Sequence, residues 1–85
     1  MSLYQQHADS VYNQLIELEA NAEPEQLFLC SYLLGHISLV SAEQGSSKAE
    51  FENNVEQSLN NAFETDKLST QDIADIRKLW QQLSG

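Results

Sequence analysis

Hydrophobic positions along this chain recur at spacings of three and four residues, and no stretch alternates in the manner of a half-buried strand. In the first third, Tyr4, Ala8, Val11, Leu15 and Leu18 fall on one helical face. "SLYQ" fits a capping box, in which Ser2 accepts from the Gln5 amide and the Gln5 side chain reaches back. Pro24 in "NAEPEQ" ends that helix, because it disfavours helical geometry at Glu23, and it suits the first turn of the next. A second helix follows to Glu43, with Gly45 as its left-handed cap. "SKAE", Ser47 to Glu50, is another capping box. It opens a third helix with the stripe Phe51, Val55, Leu59, Ala62 and Phe63. Ser69 caps a fourth, Asp72 sits in its first turn, and Leu68 staples onto Ile73. Ile73, Ile76, Trp80 and Leu83 form its buried stripe. The four helices are predicted at about residues 3–21, 24–43, 48–64 and 70–83.

With 85 residues there is room for one domain, 1–85, and short connections favour an all-α, antiparallel four-helix bundle. The second helix holds the least polar run, "LFLCSYLLGHISLVSA". At 100° per residue this helix divides into regions. Leu27 and Leu34 share a direction, while Leu29, Leu33, Ile37 and Val40 cover a broad arc. Ser31, Gly35, Ser38 and Ala42 form a stripe of small side chains, and Tyr32, His36 and Glu43 a more polar strip. A helix apolar on most sides belongs among its neighbours, so this one is predicted at the centre of the bundle. Glycine inside a helix costs about 1 kcal/mol relative to alanine. Close approach of another helix, or of a ring such as Phe63 or Trp80, to the small stripe offsets that cost. On this reading Gly35→Leu overpacks the stripe and destabilises strongly. The alternative is a groove kept open for a peptide or ligand.

The motifs of this helix carry a resemblance. Leu27–Phe28, "YLLGH" at Tyr32–His36, Leu39 and Ala42–Glu43, with the later "VEQSLNNA" and "LSTQD", resemble the YfcL family of small bacterial proteins. The resemblance covers most of the chain from about residue 25. It implies an all-helical soluble protein of proteobacterial type and leaves function open.

Charge narrows the partners. Four Lys and Arg against thirteen Asp and Glu give a formal net charge of −9, and all four cations lie after residue 47. Such a field repels nucleic acids and anionic membrane surfaces and attracts basic proteins. The apolar run is too short to span a bilayer, which needs about twenty residues, and it is flanked by Glu23, Glu25 and Glu43 with no adjoining cation. A single cysteine, Cys30, and the lack of a basic-then-apolar leader pattern point to the cytoplasm.

Candidate chemistry is sparse. His36, with Tyr32 one turn before it and Glu43 two turns after it, could orient an imidazole for base catalysis. His7 lies on another helix, and no metal-ligand spacing or phosphate loop occurs, so no cofactor is expected. Cys30 sits about 240° from His36 around the helix, which excludes a Cys–His pair there. "FETDKLSTQD" lacks the ligand set of a calcium loop. The expected class is therefore a protein-interaction or regulatory module and not an enzyme. The alternative is a small-molecule- or metal-dependent enzyme or binding protein centred on His36. If Tyr32, His36, Leu39 and Glu43 face outward, they form an acidic-aromatic patch for a basic or amphipathic protein partner. If His36 faces inward, it satisfies a neighbouring hydroxyl or carbonyl and holds the helix in register. Phe28 and Leu39 exceed what one small core needs, which raises the expectation of a homodimer.

Overall fold

The capping signals mark where the helices begin. Ser2 Oγ accepts the Gln5 amide at 3.2 Å, Ser47 Oγ accepts that of Glu50 at 3.2 Å, and Ser69 Oγ accepts that of Asp72 at 3.1 Å. In the computed structural model, which describes residues 2–84, the elements are α1 (Leu3–Ala20), α2 (Pro24–Ser41), α3 (Lys48–Asp66) and α4 (Thr70–Ser84). Residues 1 and 85, the two ends of the predicted domain, lie outside the described residues. Each boundary falls within about two residues of its predicted place, the usual scatter where helix ends fray.

The predicted stripes meet in one core. Tyr4, Ala8, Val11 and Leu15 from α1 pack with Leu33 and Ile37 from α2, joined by the buried stripes of α3 and α4. Each large side chain buried here contributes about 1.5–3 kcal/mol by leaving water. Trp80 is 3% exposed, and its indole nitrogen is buried without a hydrogen-bond partner among the described residues. The start of α1 meets the end of α2, and the end of α3 meets the middle of α2.

The end of α2 differs from the sequence expectation. A helix leaves its last four carbonyls without intrahelical partners. Here all four find one. The Ser38 carbonyl accepts from Ser41 Oγ at 2.9 Å and that of Leu39 from the Ala42 amide at 3.3 Å. The Val40 carbonyl accepts from the Glu43 amide at 3.0 Å and the Tyr4 hydroxyl at 2.7 Å, and that of Ser41 from Gln5 Nε2 at 2.8 Å. Gln5 therefore reaches across to α2 and not back to Ser2. With these partners, α2 ends without a left-handed cap, and Gly45 has no positive φ. Its small size is used instead: a Cβ at Gly45 would run into the ring of Tyr4. Among the described residues, the left-handed one is Lys67, at φ 51° and ψ 45°, which terminates α3.

Two burial expectations also fail. Leu18, at the edge of the α1 stripe, is 43% exposed. Helix α2 packs against all three other helices, as its predicted central place requires, but the enclosure expected of a helix apolar on most sides does not follow. The side of α2 away from the core stays open to solvent.

Candidate functional site

Around α2, the buried side is defined by Cys30, Leu33, Ile37 and Val40. The stripe Ser31, Gly35, Ser38 and Ala42 lies on the opposite side, exposed. A Cβ built on Gly35 meets nothing within 4 Å. The close-packing reading of this stripe is thereby corrected. Core formation recruited the arc of larger side chains, which bury more apolar area per residue, and left the small ones outside. Beside them Phe28 is 46% and Leu39 68% exposed, with Leu27 also exposed. From Leu27 to Ala42 this helix carries no charged side chain. On a chain of net charge −9, its outward face is an uncharged strip of large and small residues.

Along one edge of that face, Phe28, Tyr32 and His36 stand a turn apart, and their rings follow one another. The Phe28 and Tyr32 centroids are 6.1 Å apart, and those of Tyr32 and His36 are 5.0 Å apart. Their hydrogen-bond partners come from α3. Tyr32 donates its hydroxyl proton to Asp66 Oδ2 at 2.9 Å and stacks on Phe63 at 6.2 Å and 12°. His36 Nδ1 and Ser58 Oγ share a hydrogen bond of 2.6 Å. Beyond Phe63, the Arg77 guanidinium of α4 lies 5.3 Å over the ring and donates to Asn60 Oδ1 at 3.0 Å.

These surroundings set the protonation states. Burial, the bond to Asp66 and the charge of Asp66 push the Tyr32 phenol up to about 12. Burial pulls His36 below its ordinary value, with the negative charge of Asp66 opposing that shift. Near neutral pH the site therefore presents a neutral phenol and a neutral imidazole. Glu43 takes no part. The helix ends at Ser41, so Glu43 leaves the helical register that would have aligned it with His36, and its carbonyl accepts from Gln5. The Tyr32–His36–Glu43 array of the sequence becomes Tyr32 and His36 held by Asp66 and Ser58. His36 thus meets a neighbouring hydroxyl, the register-holding arrangement, at the margin of the exposed face.

Asp66, Ser58 and Phe63 were missing from the sequence reading of this site. Asp66 lies beyond the predicted end of the third helix at residue 64; in the structure it falls in the last turn of α3, where a carboxylate opposes the helix dipole and gains from a partner. Elsewhere, His7 Nε2 and Glu52 Oε2 lie 3.0 Å apart, forming an ion pair when the imidazole is protonated. Cys30 is buried, and burial together with the charge of Glu19 raises its thiol above the ordinary value, which disfavours the reactive thiolate. Among the described residues, no group of three or more His, Cys, Asp or Glu is placed to hold a metal ion. No helix among them is long and apolar enough to cross a membrane.

Compared with known proteins, the chain matches the model of a family described as YfcL protein over residues 3–85. No curated protein and no solved structure matches it.

Proposed function

The chain belongs to the YfcL family, and from that premise we propose that it is a non-enzymatic protein-interaction module of the cytoplasm whose contact surface is the outward face of α2. The observation that carries this reading is the exposure of Phe28 and Leu39 on a charge-free helical face of an otherwise strongly acidic protein. Interface cores are depleted in charge and rich in aromatic side chains, and an acidic rim favours a basic or amphipathic partner. Gly35 fits the same reading. The close approach that would offset its helical cost is made from outside, by a partner's backbone. Catalysis at His36 is less well supported. Its Nδ1 is taken by Ser58, and the nearby carboxylate of Asp66 is spent on Tyr32.

A second copy of the chain is the second reading, favoured by the order of side chains about Gly35. In an antiparallel pairing centred there, residues equally far on either side face each other. Phe28 then meets Ala42 of the partner subunit, and Leu39 meets Ser31 of the partner subunit. Each large side chain opposes a small one, as interdigitating helices require.

The test uses affinity capture from native lysate, comparing the wild-type chain with Leu39→Asp and with a control at exposed Glu64. Proteins retained by wild type and control but lost with Leu39→Asp support the face. Capture indifferent to Leu39→Asp overturns it. Sedimentation at several concentrations decides the second reading: a monomer at high micromolar concentration excludes the homodimer.

A further inference from the structure

A groove of about 600 Å³ lies between the last turns of α1, the first turns of α2 and one flank of α4. Leu18, whose 43% exposure its own helical stripe does not explain, lines it together with Leu29 and Leu79. Gln71, Asp75, Lys78 and Gln82 border it at intervals of one turn, so α4 runs beside the groove for about three turns, roughly 16 Å. That is the length of a docked helical segment with two or three apolar anchors.

The walls are acidic. Glu25, Asp72 and Asp75 line the groove against the single ammonium of Lys78, and the charge of Glu19 acts on Cys30 at its base. Glu25 and Asp72 sit in the first turns of α2 and α4, where the positive ends of the helices balance part of their charge. Asp75 lies a turn further along, and its Oδ1 accepts from Gln71 Nε2 at 2.9 Å. A cleft whose apolar surface comes from Leu18, Leu29 and Leu79, bordered by carboxylates and amides, complements one class of partner segment well.

We propose that this groove docks a cationic amphipathic helix of a partner protein, with its apolar side on Leu18, Leu29 and Leu79 and its Lys or Arg side chains beside Glu25, Asp72 and Asp75. The proposal rests on the reading of the chain as a protein-interaction module and adds a second surface. The outward-facing residues of α2, Phe28 and Leu39 among them, do not line this groove. Apolar contact supplies the anchoring, and charge complementarity sets orientation, association rate and salt dependence.

The experiment titrates the isotope-labelled full chain with a synthetic leucine–lysine amphipathic peptide and follows amide chemical shifts. A leucine–glutamate counterpart and a scrambled leucine–lysine peptide serve as controls. The expected result is a shift of amides around Leu18, Leu29 and Asp75 with the first peptide only, weakening as salt rises. Asp75→Lys should lower the affinity about tenfold or more, the scale of a close charge pair made repulsive. Leu18→Ser should lower it independently, with Trp80 fluorescence showing that both variants remain folded. Shifts confined to Phe28 and Leu39 would overturn the groove while leaving the α2 face standing. Equal binding by the acidic or scrambled peptide, or no shifts at all, would overturn the proposal. Lysate capture that fails while the groove still binds the peptide would reject the α2 face alone.

Discussion

Gly35→Ala tests the inverted position of the small stripe most directly. The added methyl points to solvent, since a Cβ at this position has no neighbour within 4 Å, and the backbone has no positive φ to oppose an L side chain. No overpacking cost arises, and one favourable effect remains. Alanine is the better helix former by about 1 kcal/mol, part of which reflects the smaller conformational freedom of the unfolded chain. The expected gain is therefore about 1 kcal/mol. For a domain of this size it raises Tm by about 4–8 °C. With a urea dependence of about 2 kcal/mol/M, it moves the unfolding midpoint up by about 0.5 M at unchanged slope. Trp80 is the chain's single tryptophan and is buried, so its fluorescence reports the transition without a label. Gly35→Leu should also be tolerated, against the overpacking predicted from the stripe alone. A lowered midpoint in dilute protein would refute this reasoning, since it requires a neighbour that the fold does not place there. If α2 docks a second copy, the gain should shrink as concentration rises, because the methyl then holds two backbones apart.

Gly45→Ala should act oppositely, destabilising by about 1–3 kcal/mol because its Cβ meets the Tyr4 ring; an unchanged urea midpoint would show that the ring swings aside. Lys67→Gly should stabilise by about 0.5–1 kcal/mol, since it relieves a left-handed backbone at φ 51°, and a melt no higher than wild type would contradict this. His36 is held below its ordinary pKa, so the unfolded chain binds the proton more tightly than the folded one. Its contribution is present above about pH 6.5, the unfolded value, and is lost as pH falls through the lower folded value. The stability difference between wild type and His36→Gln should accordingly narrow on acidification through that window, and a constant difference would deny His36 this role.

Helix number, type and limits were legible because each start carries its own local signal. Ser2, Ser47 and Ser69 satisfy amides three residues away, and Pro24 acts on its immediate neighbour, so these effects need no knowledge of the rest of the fold. The buried faces of α1, α3 and α4 were legible for a related reason. Each has one dominant apolar stripe, which favours a single way to turn, although α1 also leaves Tyr12, Ile16 and Leu18 exposed. Helix α2 offers no such choice, being uncharged all round from Leu27 to Ala42. Its rotation was decided by the neighbours, which buried Leu33 and Ile37 and left Gly35 and Leu39 in solvent. Only tertiary structure could bring Asp66 to Tyr32 and Ser58 to His36, thirty-four and twenty-two residues away along the chain. The same holds for Gln5 and Tyr4 at the end of α2, and for the groove that α1, α2 and α4 line together. Local sequence determines where a helix begins and which residues can share a face. Which face is covered depends on the total apolar area that four helices can bury together, a quantity that no single segment contains.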